Sequence, residues 1–518
     1  MRKLLCFILL GCTMLANAQS NFTFANAEGP YNVGLKVVQQ YDFARAFQGA
    51  VDPVTGQAST DERARPIQTL IWYPAERGGK RVSYGDYLRT AATEVKFNAP
   101  PAIVDRAVAQ MLAPASASGG KSRVNTIETQ TMWATRDAIA AEGKFPVVIY
   151  APSFNAQAAE NADLCEFLAS HGYVVLASPS MGLHSHDMSS DLPGIEAQAA
   201  DIEFLIGYAR KLADADTSHI AVVGYSWGGI ANFFAAARDG RIGALVDFDG
   251  SIRYWPGYVD GGDGAAKDVT PARVAVPLLF VGREPDTAEK QARSKKNLSF
   301  SFINEMKYAD VYVVTMHAMR HPDFSSYFLR IADDDQFSEY SRDEVSVAHS
   351  WAARYVLNFL NDYLKRDAGA HVFLNTAPVK NGAPAHLISV DSRSATAVLQ
   401  NRDTFAAELA KTGFAHAVDL YDAYHSTAAS FELSGEEING WGYALMVQGR
   451  LVDAIDIFKL GTHVTPQESD AFDSLAEAYE NNKENALAIE NYRLALQLNP
   501  KNGHALAHLK LLGGKPAM

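Results

Sequence analysis

An α/β fold, in which a mostly parallel sheet is covered by helices on both faces and an all-α domain follows, is what the sequence predicts. Three observations predict it. From Phe145 onward short apolar runs alternate with helical runs, the rhythm of strands buried on both faces. Within that stretch Val222-Val223-Gly224-Tyr225-Ser226-Trp227-Gly228-Gly229 reads as a buried strand turning sharply through a G-x-S-x-G pattern into a helix. Near the C-terminus a pattern with a period of 34 residues implies stacked helix pairs.

At 518 residues the chain is long enough for two folded units, and 48% hydrophobic with 20% charged residues is an ordinary globular composition. The formal charge of −13 argues against nucleic acid as a partner, since phosphate binding needs a basic face. Met1 to Ala18 has a basic start (Arg2, Lys3), an apolar stretch from Leu4 to Leu15 and a small-x-small close at Ala16-Asn17-Ala18. This is a secretory signal peptide cut before Gln19, and it predicts export to the periplasm or beyond. A membrane anchor needs about 20 apolar residues and this stretch is shorter, so no transmembrane helix is expected in the mature chain. A lipoprotein signal ending at Leu10-Gly11-Cys12 is the weaker alternative, because the apolar run continues past Cys12. Of three cysteines only Cys165 outlasts cleavage, so no internal disulfide is expected and Cys165 reads as a small buried hydrophobe.

Taken in order, residues 19–368 form the first domain. Gly29 to Val38 and Ile67 to Pro74 read as leading antiparallel strands. Residues 82–143 carry no clear sheet rhythm and look like helices joined by a flexible loop at Ala113 to Gly120. That insertion is either a cap over the site or a plain surface excursion. Then come a strand at Pro146–Tyr150, a helix at Ala158–Ser170 and a strand at Tyr173–Ala177. A second helix at Ile195–Leu212 leads to the strand before Ser226, and further strands follow at Ile242–Phe248, Val276–Val281 and Val311–Thr315. Functional residues then belong at the carboxyl ends of these strands. Ala348–Leu364 is a closing helix, and residues 369–400 read as a linker.

A serine hydroxyl is a weak nucleophile at neutral pH and needs a histidine to take its proton and a carboxylate to orient that histidine. Ser226 is the candidate nucleophile, with Gly224 and Gly228 shaping its elbow. In chain order the acid follows the serine, and Asp247, Asp249 and Asp286 compete. Asp249 is already in the turn at Gly250 and freer to reach the site than Asp247 on the strand, so Asp249 is favoured with Asp286 second. His321 is the favoured base, in the loop beyond the last strong strand, with His317 behind it. Two backbone N–H groups are expected to meet the oxyanion: Trp227, just after the nucleophile, and Phe154, in the loop Ala151-Pro152-Ser153-Phe154-Asn155. Pro152 has no N–H to give. His184 and His186 lack an obvious third ligand and Asp260 to Gly264 lacks calcium-loop spacing, so neither metal nor cofactor is expected.

These residues carry a resemblance. Gly29-Pro30-Tyr31-Asn32-Val33-Gly34, Gly224-Tyr225-Ser226-Trp227-Gly228-Gly229, Phe248-Asp249-Gly250 and His321-Pro322-Asp323-Phe324 look like the plasma-type platelet-activating-factor acetylhydrolase family, within the dienelactone-hydrolase-like α/β-hydrolases. The resemblance covers roughly Gly29 to Lys365. It implies the α/β-hydrolase fold and an acid after the strand that follows the elbow, which favours Asp249. Its histidine precedes x-x-Phe, matching His321 and Phe324. The chain departs from the family at Ala151-Pro152-Ser153, where Ser-His-Gly is usual, and in the insertion. Dienelactone hydrolases proper use cysteine, so Ser226 argues for esters.

Residues 401–518 form the second domain. Ala454, Phe458 and Pro466 recur as Ala488, Tyr492 and Pro500, and Trp441-Gly442 as Leu475-Ala476. Two units resembling tetratricopeptide repeats (435–468 and 469–502) and a capping helix are expected. They form either a groove for a protein or peptide partner or a helical support. The whole reads as an exported serine carboxylic-ester hydrolase working through an acyl-enzyme on short-acyl or lipid-like esters. Two alternatives stay open: a serine peptidase of prolyl-oligopeptidase type, which would want a propeller or lid domain, and an inert hydrolase fold carrying a repeat-based binding module.

Overall fold

The computed structural model describes residues 21–47, 64–259, 266–284, 301–337, 339–427 and 431–515. The signal segment with Cys12, the turn at Asp260 and the alternative acid Asp286 lie outside these residues.

The apolar runs after Phe145 form the centre of one sheet. Its strands are β1 (Asn32–Ala46), β2 (Ala64–Ala75), β3 (Arg81–Ser83), β4 (Thr131–Arg136), β5 (Phe145–Ala151), β6 (Val174–Ala177), β7 (Ala215–Tyr225), β8 (Ile242–Phe248), β9 (Leu278–Arg283), β10 (Val311–Met316) and β11 (Ile388–Arg393). Their spatial order is β11-β10-β9-β8-β7-β5-β6-β2-β1-β4-β3. From β6 through β5, β7, β8 and β9 to β10 all neighbours are parallel, while β1 and β2 are antiparallel to each other and β2 to β6. The helices of this unit are α1 (Tyr84–Ala91), α2 (Pro101–Met111), α3 (Ala113–Thr129), α4 (Ala162–Ser170), α5 (Leu192–Ala209), α6 (Trp227–Arg238), α7 (Ser301–Glu305), α8 (Ser326–Ile331), α9 (Arg342–Lys365) and α10 (Ala368–Leu374).

Alternate residues of each central strand feed two separate cores. Val148, Tyr150, Ala221, Val223 and Val246 pack with Leu164 and Phe167 of α4 and Val356 and Phe359 of α9. Val147, Ile149, Val222 and Leu245 pack with Ile195 and Ile202 of α5 and Ile230 and Phe233 of α6. A sheet buried on both faces explains why these strands read as continuous apolar runs. Burying each Val, Leu, Ile or Phe contributes about 1.5–3 kcal/mol. This is the α/β-hydrolase arrangement. Cys165 sits inside it as a free, fully buried thiol, and burial pushes that thiol well above its usual range.

Two segments differ from expectation. Residues 82–143 contribute β3 and β4, which extend the sheet beyond β1, and the expected loop at Ala113 to Gly120 is the start of α3, broken at Gly120 with φ 59°. β3 and β4 are short and partly exposed, so they lack the apolar rhythm that marks a central strand. The segment is also tied inward: Arg330 of α8 stacks 4.3 Å from the Tyr84 ring, and the Tyr327 hydroxyl donates to Met111 O at 2.8 Å. The expected linker 369–400 is likewise structured, since β11 pairs antiparallel with β10 from Val311–Arg393 to Met316–Ile388. Its run Ser389-Val390-Asp391-Ser392-Arg393 is mostly polar and partly exposed, as in an edge strand.

The second compact unit begins at Val398. It holds α11 (Arg402–Thr412), α12 (Ala417–Thr427), α13 (Gly435–Val447), α14 (Leu451–Val464), α15 (Ser469–Asn481), α16 (Asn485–Leu498) and α17 (Gly503–Leu511), around a core of its own. Helices α13 and α14 form one hairpin and α15 and α16 the next. A Cβ on Gly442 would come within 2.4 Å of the Phe458 ring, so the small position is what lets the first hairpin close.

Candidate active site

β7 ends at Tyr225 and α6 begins at Trp227, leaving Ser226 alone on the bend with φ 55° and ψ −111°. Such a conformation is costly for a residue with a Cβ and persists only where its surroundings enforce it. Here the Ser226 N–H donates to Phe248 O (3.0 Å), and Ser226 O accepts from the N–H of Gly229 (3.1 Å) and of Ser251 (2.7 Å). The bend is thus bonded to the loop after β8. The elbow glycines are forced by contact: a Cβ on Gly224 would lie 2.4 Å from Gly228 O, and one on Gly228 would lie 2.2 Å from Ala151 O.

Ser226 Oγ lies 2.9 Å from His321 Nε2, and His321 Nδ1 lies 2.6 Å from Asp249 Oδ2. A carboxylate only accepts, so the neutral imidazole carries its proton on Nδ1 and leaves Nε2 free to take the serine proton. Asp249 follows the end of β8 with φ 40° and is fully buried. Burial pushes its carboxyl up, but the hydrogen bond and charge of His321, the Arg283 guanidinium and the Tyr254 hydroxyl outweigh that and hold it below the usual range. Tyr254 OH donates to Asp249 Oδ1 at 2.8 Å, the Arg283 N–H to the same oxygen at 3.2 Å, and Arg283 Nε lies 3.3 Å from Oδ2. Both oxygens of this carboxylate are engaged, which holds it ionised and fixed.

The turn with φ 40° carries Asp249 off the strand and separates it from Asp247, although strand alternation alone would put both side chains on one face. Asp247, two residues earlier, is still on regular strand and lies on the face that α6 covers. Burial and the charge of Asp249 push its carboxyl well up, and its Oδ1 would be 2.1 Å from a Cβ on Gly229, which is why α6 can settle there only with glycine. His317 is engaged elsewhere, with Glu284 at Nδ1 and Ser389 Oγ 3.0 Å from Nε2. His321 is held from both sides. Tyr225 OH donates to His321 O at 2.7 Å and its ring lies 5.4 Å away, while Tyr254 meets the imidazole edge-on at 6.1 Å.

Phe154 stands beside the N-terminus of α6, its ring meeting Trp227 at 5.6 Å and 89°. Its loop is strapped down by Gln198 Nε2 donating to Pro152 O (2.7 Å), by Glu160 on Ser153, and by Asn155, which holds φ 55° and accepts from Met188 N at 2.7 Å. Trp255 and Tyr258 add two more rings edge-on to Trp227 at 6.4 and 6.3 Å. Phe154 and Trp255, both against Trp227, are each 39% exposed, so an aromatic wall faces solvent beside the serine. His184 and His186 lie in an exposed loop, and among the described residues no group of three or more His, Cys, Asp or Glu is arranged to hold a metal ion. Tyr225, Tyr254, Arg283 and Glu160 were not singled out from sequence. Tyr254 alone carried a signal, lying one short turn after the favoured acid.

A model of the chlorophyllase family matches residues 126–262, a span that includes Ser226 and Asp249 but ends before His321. No curated protein matches the chain. Among solved structures, the chain is similar to a ferulic acid esterase from Streptomyces cinnamoneus, at 16% identity over 66% of this chain and 93% of that one, with a TM-score of 0.45.

Proposed function

We propose that the chain is an exported serine carboxylic-ester hydrolase that works through an acyl-enzyme. The observation that carries this reading is the unbroken hydrogen-bonded series from Ser226 Oγ through His321 to the buried Asp249. His321 Nε2 takes the proton as Ser226 Oγ attacks the ester carbonyl, and the tetrahedral oxyanion forms against the N–H groups of Trp227 and Phe154. Collapse expels the alcohol, which receives the proton from His321. Water, deprotonated by the same imidazole, then attacks the acyl-enzyme and frees Ser226. Asp249 holds the imidazole in its productive tautomer and stabilises the imidazolium. No cofactor enters these steps.

The chlorophyllase-family match across β7 and the elbow supports an ester substrate. The resemblance to the platelet-activating-factor acetylhydrolases suggests short-acyl or lipid-like esters, and the exposed rings of Phe154 and Trp255 suit an apolar group near the carbonyl. Export rests on the signal pattern of Met1 to Ala18. The helix hairpins after Val398 are read as tetratricopeptide-like units offering a face to a protein or peptide.

The test is hydrolysis of p-nitrophenyl esters of increasing acyl length by wild type and by Ser226→Ala, each without Met1 to Ala18. The expected result is turnover that peaks at short or medium acyl chains and vanishes in the variant. Turnover of peptide substrates with none on esters would replace this reading with the peptidase one, and inertness toward both would leave a binding protein.

A further inference from the structure

Glu160 is a buried carboxylate, 5% exposed, that the reaction steps do not use. Both of its oxygens are spent on the loop that carries Phe154: Oε1 accepts from Ser153 Oγ at 2.6 Å, and Oε2 from the Ser153 N–H at 2.8 Å and the Tyr150 hydroxyl at 3.4 Å. Its backbone faces the opposite way. Glu160 O accepts from the Tyr327 N–H at 3.0 Å and from Ser326 Oγ at 3.1 Å. The next residue, Asn161, fully buried, donates to Phe324 O (2.9 Å) and Tyr150 OH (2.7 Å) and accepts from the Ser326 N–H (2.8 Å). Phe324 closes the turn that begins at His321, and Ser326 opens the helix two residues beyond it. Two consecutive residues therefore join the loop that offers an N–H to the oxyanion to the loop that carries the imidazole.

Resting on the reading of Ser226, His321 and Asp249 as an ester-cleaving triad, we propose that Glu160 is a positioning residue that fixes the Phe154 N–H relative to His321. Burying a carboxylate is expensive, and one hydrophobic side chain of similar size would fill the space more cheaply. What a hydrophobic side chain could not do is accept two bonds from one serine and so define both position and tilt of the peptide that follows it. A displacement of about 1 Å at a transition-state donor costs on the order of a hundredfold in rate. Because an oxyanion forms in both acylation and deacylation, a loosened loop should lower both rates while leaving substrate binding to the aromatic wall nearly intact.

The experiment compares wild type with Glu160→Gln, Glu160→Ala and Ser153→Ala, using a p-nitrophenyl ester that wild type turns over. The end point of fluorophosphonate labelling counts competent sites whatever the rate of acylation, so that kcat is expressed per competent site. The expected result is a fall in kcat of about 30- to 100-fold in Glu160→Ala with KM within about twofold. Glu160→Gln, which still accepts from the Ser153 N–H, should recover most of that loss, and Ser153→Ala, which keeps the N–H bond, should lose only a few-fold. A role confined to folding predicts the opposite split: fewer competent sites, each turning over at the wild-type rate. That result, or a Glu160→Gln enzyme as slow as Glu160→Ala, would overturn the proposal. If Glu160→Ala does not fold, the ranking of Glu160→Gln and Ser153→Ala below wild type per competent site decides alone, and wild-type rates in both overturn it. Wild type that turns over no ester at all would instead sink the esterase reading.

Discussion

In the proposed mechanism Asp249 makes the imidazole useful, and three neighbouring groups are committed to holding its carboxylate. Its two oxygens meet His321, Tyr254 and Arg283, so substituting it by asparagine changes tautomer preference while leaving the shape intact. Asp249→Asn should lower kcat by about four orders of magnitude with little change in melting temperature, measured by ester hydrolysis beside calorimetry. Tyr254→Phe removes one hydrogen bond to that carboxylate and should cost about tenfold in kcat. At this scale Ser226, Asp249 and His321 were legible in the sequence, because the elbow pattern fixes the serine and chain order restricts its partners. The tyrosines and Arg283 were not, since a donor to a buried carboxylate can come from any nearby loop.

The elements around the site constrain one another through backbone contact. A Cβ on Gly228 would press on Ala151 O and Pro152 O, at 2.2 and 2.6 Å, and backbone cannot swing aside as a side chain can. Gly228→Ala should therefore cost about 1–3 kcal/mol in urea unfolding and push the Phe154 loop outward, lowering kcat more than KM. Residues 82–143 are bound into the body in a way that pH reveals. Glu94 Oε1 accepts only from the Ala158 N–H among its described partners, and burial pushes its carboxyl up to about 8. Between its ordinary 4.5 and about 8 the unfolded chain loses this proton while the folded one keeps it, so stability falls as pH rises through that window and levels off above it. Glu94→Gln should raise the melting temperature at pH 8 by several degrees more than at pH 5, and equal shifts at both would contradict the assignment. The integration of this segment was hidden from sequence because β3 and β4 are short edge elements, whereas the central strands, buried on both faces, declare themselves by unbroken apolar runs.

At the scale of the whole molecule, two units with separate hydrophobic cores divide at Ala397 and Val398. Separate cores predict two resolvable transitions in calorimetry of the full chain, and a single cooperative transition would show that they unfold as one. That division lies inside the stretch 369–400 read as a linker, most of which belongs to the first unit, because a polar edge strand such as β11 reads like a linker until its partner strand is known. The central claim is that Ser226 is made nucleophilic by His321. Its most direct measurement is intact mass and peptide mapping after exposure to a fluorophosphonate. The account predicts one adduct per chain, located on Ser226 and formed at least a thousandfold more slowly in His321→Ala. No adduct on the wild-type chain, or one that forms as fast without the imidazole, would contradict it.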